Sequence, residues 1–156
     1  MAKIRTMLIL KAKDAIDECE TDLIERVAKM YEYNVQIETL CGDASDQSLL
    51  KSNDDSGWDL VYVCGHGNSE GIWDKEKMLM DWYTLSSTLC TELAPNAWLF
   101  LSCCRGGLAK VSYEMFEMCR NLSYIFGSRW QATPNQLACA FHTIFHNFNN
   151  QQVEPM

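Results

Sequence analysis

Short, near-continuous apolar runs alternate along this chain with longer stretches of helical periodicity. The first run, Met7 to Leu10, is followed by DAIDECETDLIERVAKMY, where Ile16, Cys19, Leu23, Val27 and Met30 recur at spacings of three and four. That spacing predicts one apolar stripe of a helix, begun by Asp14 as its cap. In NVQIETLC, Val35, Ile37 and Thr39 alternate with polar partners, which predicts a strand. The polar stretch GDASDQSLLKSNDDSG has room for at most one short helix. DLVYVC predicts a buried strand from Leu60 to Cys64, stopped by Gly65 and Gly67. Asn68 to Asp81 reads as loop, with a small hairpin around Ile72 and Trp73, and residues 82–93 as a helix. Pro95-Asn96 predicts a turn before the strand AWLFLS. Gly106 and Gly107 break that strand, a helix follows from about Leu108 to Arg120, and SYIFGS is a further strand. A last amphipathic helix begins near Pro134, with Leu137, Phe141, Ile144, Phe145 and Phe148 on its apolar side. Residues 1–148 read as one domain without repeats or linkers, and 149–156 as a polar tail.

Buried-type strands separated by helices predict an α/β fold, a three-layer sandwich whose mostly parallel central sheet is covered by helices on both faces. A length of 156 residues with 47% apolar and 22% charged residues fits one soluble core. No apolar run approaches the roughly 20 residues of a membrane span, and the apolar stretch near the N-terminus is too short for a secretory signal. The expected compartment is therefore the cytoplasm.

The net charge is −8. That balance argues against nucleic acid and anionic membrane surfaces as partners, since both need a basic footprint. From Asp14 to Asp55, twelve acids face three bases, a solvated helix face and loops or a steering surface for a basic partner. Eight cysteines are present, and none forms a Cys-x-x-Cys pair. Cys19, Cys64, Cys119 and Cys139 sit inside apolar runs, where a reduced thiol behaves as a small buried hydrophobe. Reduced thiols, with neither a zinc ribbon nor a disulfide framework, are the expectation.

In parallel α/β sheets, chemistry gathers at the carboxyl ends of the strands. Two such ends are loaded here: Cys64-Gly65-His66-Gly67, and Ser102-Cys103-Cys104-Arg105-Gly106-Gly107. If their strands are neighbours, an imidazole and a thiol share one crevice. A thiol is mostly protonated at neutral pH, and an imidazole or a helix N-terminus beside it favours the nucleophilic thiolate. Cys104 stands just before the predicted helix, and the N–H groups there and at Gly67 suit a developing oxyanion. Buried Cys and His at strand ends also occur as plain packing, and the residues alone leave both readings open.

VYVCGHG, followed by LFLSCCRGG with His66 and Cys104 38 residues apart, resembles the paired His-Gly and Cys motifs of caspase-like (clan CD) cysteine peptidases. The pattern is most similar to the CHAT branch, which includes separase, and puts the nucleophile at Cys104 with Cys103 in the place of an alanine. Downstream, SYIFGSRWQATPNQLACAFHTIFHNF resembles the segment in which a strand leads to a tryptophan, here Trp130, before a closing helix. The likeness spans roughly residues 58–148. It implies a caspase-like fold and a cysteine endopeptidase with a Cys104–His66 dyad and an oxyanion site at the Gly67 and Cys104 N–H groups. It also implies no metal or organic cofactor, a specific protein substrate, and activation by a separate subunit or signal ligand. Some positions depart from the family. The acid that follows the tryptophan in separase-like members, where it helps bind an arginine, is Gln131. The caspase glutamine two residues before the nucleophile is Ser102. Asp14 stands where this clan often places a further specificity residue. Basic and neutral preferences at the cleavage point both remain open.

The other constellations are poorer. The glycines around His66 miss the G-x-G-x-x-G spacing, HTIFH lacks the glutamate of a zincin motif, and neither Cys103 nor Cys104 is followed by the C-x5-R of a phosphatase. Adjacent cysteines rarely ligate one metal together, which weakens a zinc site built on Cys64, His66, Cys103 and Cys104. The alternative to the peptidase is an interaction or scaffold module that keeps the fold and is catalytically silent.

Overall fold

Period-two alternation in the apolar runs gives a sheet that is buried on both faces. The computed structural model describes residues 5–13, 18–53 and 55–151. Strand β1 (Arg5–Ala12) leads into helix α1 (Glu18–Met30), β2 (Tyr33–Leu40), the short α2 (Asp46–Leu49) and β3 (Trp58–Cys64). Three short strands follow, β4 (His66–Gly67), β5 (Gly71–Trp73) and β6 (Met78–Asp81), and then α3 (Trp82–Leu89). The chain ends with β7 (Leu93–Ser102), α4 (Ala109–Met118), β8 (Leu122–Gly127) and α5 (Pro134–Gln151). The main sheet has the order β2-β1-β3-β7-β8, and every neighbouring pair is parallel.

Successive side chains on the central strands enter opposite cores. Leu8, Leu10, Val61, Val63, Leu99 and Leu101 pack with Leu85 and Leu89 of α3 and with Val111 and Met115 of α4. Met7, Ile9, Leu60, Tyr62 and Phe100 pack with Ile24 and Ala28 of α1 and with Phe141 and Phe145 of α5. Tyr62 and Phe100 stack at 5.3 Å, and Phe141 stands edge-on to both at 4.9 and 5.2 Å. The result is the expected three-layer α/β sandwich. Among the described residues, no helix is long and apolar enough to cross a membrane.

Five local expectations change. Helix α1 does not bury the stripe through Leu23 and Met30, which are 47% and 80% exposed. It buries Glu20, Thr21, Ile24 and Ala28, a face whose first turn is polar because it meets hydroxyl groups of the sheet. Pro95-Asn96 is not a turn ahead of β7 but an irregularity within it. Opposite β3 the register runs from Trp58↔Leu93 to Leu60↔Trp98, so the extra residues loop out, helped by a left-handed Asn96 at φ 64°. The hairpin at Ile72 and Trp73 is one part of a three-stranded antiparallel sheet, β4-β5-β6, which begins at His66. Helix α5 continues to Gln151 and so takes in the start of the polar tail, where Asn149 is buried and accepts from Arg5. Of the cysteines expected inside, Cys64 and Cys119 are buried and Cys139 is exposed, while the Cys19 side chain lies outside the described residues. The seven described cysteines are all free thiols.

Candidate active site

Strands β3 and β7 are neighbours, and Cys64 is paired with Ser102 at their carboxyl ends. His66 and Cys104 each stand two residues beyond that pair, so the parallel register alone brings them out side by side. The ladder continues for one more bond, Gly65 N–H to the Ser102 carbonyl at 3.4 Å. The two chains then diverge, with His66 entering β4 opposite Trp73 and Cys103 beginning a turn.

At Gly67 the divergence is very tight. A Cβ there would stand 2.6 Å from the Cys104 carbonyl oxygen and 2.9 Å from the Cys103 Cβ and Sγ. Only a residue without a side chain lets the backbone after the histidine cross the backbone of the cysteine turn. The turn is held by Gly106 N–H donating to the Cys103 carbonyl at 3.3 Å and Leu108 N–H to the Arg105 carbonyl at 3.2 Å. Arg105 takes a left-handed conformation, φ 62°, immediately after Cys104. Helix α4 starts at Ala109, so the groups next to Cys104 belong to this turn and not, as the sequence suggested, to a helix terminus. Two further bonds, Arg105 N–H to the Trp130 carbonyl at 3.4 Å and Gly107 N–H to the Ser128 carbonyl at 2.9 Å, tie the turn to the segment that follows β8.

A cavity of about 420 Å³ opens at this junction, lined among others by Glu20, His66, Ser102, Cys104, Gln131 and Ala132. The Cys104 thiol is partly exposed, 3.7 Å from the Ala132 carbonyl, and the His66 side chain is exposed. No hydrogen bond engages the His66 ring among the described residues. Cys103 also borders the cavity but is packed into the core. It is 1% exposed, and burial, reinforced by the neighbouring Cys104, pushes its thiol up to about 12 against the partial relief of a Gly106 N–H. Burial likewise raises Cys64 well above the ordinary thiol range, with Glu20 adding to the effect. Cys103 and Cys64 are thus protonated packing groups, and Cys104 is the partly exposed thiol of this cluster.

Of the substrate-pocket positions, Ser102 and Gln131 line this cavity together with the dyad. Trp130, 77% exposed, borders a second cavity of about 550 Å³ that shares Gln131, Ala132, Gln136 and Leu137 with the first. Asp14 lies outside the described residues. Glu20 was not anticipated. The residue is 8% exposed, and its Oε1 accepts hydrogen bonds from Tyr62 Oη and Ser102 Oγ, both at 2.8 Å. Burial, and then the Glu20 charge, push the Tyr62 phenol far up, which keeps it a neutral donor. The one trace of Glu20 in the sequence is its place four residues before Ile24 and eight before Ala28, a stripe that an acid ordinarily disqualifies.

No protein-family model matches the chain, and no curated protein matches it. Among solved structures 34 chains match. One is a yeast Spc42 trimeric coiled coil, amino acids 181–211, fused to another structure. It is 17% identical over 98% of this chain and 84% of that one, with a TM-score of 0.44, and at that level the likeness carries no argument.

Proposed function

We propose that this chain is a cysteine endopeptidase of the caspase-like, CHAT-branch type, with Cys104 as nucleophile and His66 as its proton-transfer partner. The observation that carries this reading is the register of β3 and β7, which delivers an exposed imidazole and a partly exposed thiol to one cavity. In the reaction, the Cys104 sulfur bonds to the scissile carbonyl carbon, and the oxygen takes the negative charge. The N–H groups of Gly67 and Cys104 stabilise it; the close crossing of these two backbones supports that role. His66 gives a proton to the leaving amine as the C–N bond breaks, and water then hydrolyses the thioester. The chemistry calls for no metal or organic cofactor. The substrate is a specific partner protein met in the cytoplasm, and an activating subunit or signal ligand controls the site.

The test is the appearance of new protein N-termini in a cell extract incubated with the full chain or with Cys104→Ala. Termini produced by the wild type alone, clustered on one or a few proteins, support the peptidase. Identical termini from both proteins overturn it in favour of the silent interaction module.

A further inference from the structure

The carboxyl ends of α3 and α4 meet over two thiols. Cys90 is the C-cap of α3 and Cys119 the C-cap of α4, and the two helices pack together on one face of the main sheet. Both cysteines join the same apolar cluster, Cys119 at 1% exposed and Cys90 partly buried at its edge. One atom links them. The Ser86 carbonyl oxygen accepts the Cys90 N–H at 3.0 Å and the Cys119 thiol at 3.3 Å. The Cys90 thiol turns back along the same helix end and donates to the next carbonyl, that of Ser87, at 3.0 Å. Two thiols from different helices thus stand on adjacent carbonyls of one helical turn. The Cys119 thiol senses its neighbour: burial first, and then Cys90, push it up to about 12.

We propose that Cys90 and Cys119 are an oxidation site, a dithiol that hydrogen peroxide converts to a disulfide stapling the end of α3 to the end of α4. Neither thiol lines the cavity beside Cys104, so this chemistry stands or falls apart from the peptidase reading. Burial divides the roles. Cys90 is partly exposed and meets the oxidant, whereas Cys119, buried and protonated, resolves the product. In the first step the Cys90 sulfur takes one oxygen as the peroxide O–O bond breaks, giving a sulfenic acid and water. The Cys119 sulfur then bonds to the Cys90 sulfur, the S–O bond breaks, and the hydroxyl group leaves as water with the Cys119 proton. The thiol pair gives up two electrons and the peroxide accepts them. Under reducing conditions the dithiol is the resting form, and the disulfide appears as peroxide rises. The covalent loop it closes runs from the end of α3 through β7 and the Cys104 turn to the end of α4. Such a closure stabilises the fold by restricting the unfolded chain.

The experiment treats the full chain, dilute and at neutral pH, with hydrogen peroxide. Remaining thiols are then blocked with N-ethylmaleimide in denaturant, and the cysteine peptides are mapped by mass spectrometry without reduction. A Cys90–Cys119 cross-linked peptide is expected as the main intramolecular disulfide, reversed by dithiothreitol. In Cys90→Ser, Cys119 is expected to carry the maleimide instead. The oxidised wild type is expected to unfold at least about 5 °C above the reduced protein, a shift that Cys90→Ser does not show under the same treatment. Cys90 carried on to a sulfinic acid beside a Cys119 still reduced would overturn the pairing. Survival of both thiols through an oxidation that reaches the exposed Cys41 and Cys139 would overturn it as well. A cross-link with an unchanged unfolding temperature overturns the staple. The wild-type map decides the pairing even if Cys90→Ser fails to fold.

Discussion

Gly67 and Arg105 govern the backbone on either side of Cys104, and each makes a distinct demand. At Gly67 an added methyl meets the Cys104 carbonyl at 2.6 Å, and backbone yields less readily than a side-chain tip. Gly67→Ala is expected to cost about 1–3 kcal/mol in urea unfolding and to slow Cys104 alkylation at least about tenfold, since the turn has to move. Arg105 holds φ 62°, where an L side chain costs about 1–2 kcal/mol. Arg105→Gly relieves that strain and adds glycine's unfolded-state entropy, so a net gain of about 0.5–1 kcal/mol is expected in the same measurement. The residues that frame the dyad were readable because glycines bracket both strand ends: a His between two glycines and a Cys-Cys-Arg-Gly-Gly run are unusual where a buried strand stops. Glu20 was not readable. A glutamate in an acidic run looks like solvated surface, and only the three-dimensional meeting of α1, Tyr62 and Ser102 places it inside.

Helix α1 shows at the element scale how far an apolar count can mislead. Ile24 is fully buried against Met7, Ile9 and Tyr62, whereas Leu23 is 47% exposed one residue away. Ile24→Ala is therefore expected to cost about 2–5 kcal/mol and Leu23→Ala within about 0.5 kcal/mol, measured by denaturant midpoint. The stripe predicted from periodicity was rotated because the buried face gives up apolar area in its first turn to hydrogen bonding. Helix α5 followed its pattern, since Phe141 and Phe145 had only aromatic and aliphatic partners to satisfy. Helix α3 adds a pH-dependent term. Asp81 caps it, accepting from Thr84 N–H at 2.7 Å and Thr84 Oγ1 at 2.8 Å. Burial alone would raise this carboxyl, but the Thr84 bonds together with the Asp81 and Tyr83 N–H groups outweigh burial and hold it below its ordinary value. A depressed folded pKa stabilises above the unfolded value near ~3.9, and the benefit is lost as pH falls through the folded value. Asp81→Ala should then cost about 1 kcal/mol at pH 7, with the gap to wild type closing below about pH 4.

At the scale of the whole molecule, alternating strands and helices dictated a parallel, doubly covered sheet, and that much could be read from the chain. The strand order could not. No local pattern states that β3 and β7, separated by β4, β5, β6 and α3, lie edge to edge, yet that adjacency is what makes a site of His66 and Cys104. The peptidase account therefore stands on a long-range pairing, and its sharpest test is chemical. We would map stoichiometric labelling by a peptidyl acyloxymethyl ketone across all eight cysteines, in the wild type and in Cys103→Ala, Cys104→Ala and His66→Ala. The account predicts one label, at Cys104, that persists without Cys103, vanishes without Cys104 and falls at least about tenfold without His66. Labelling spread over exposed thiols such as Cys41 and Cys139, or unchanged by loss of His66, would contradict it.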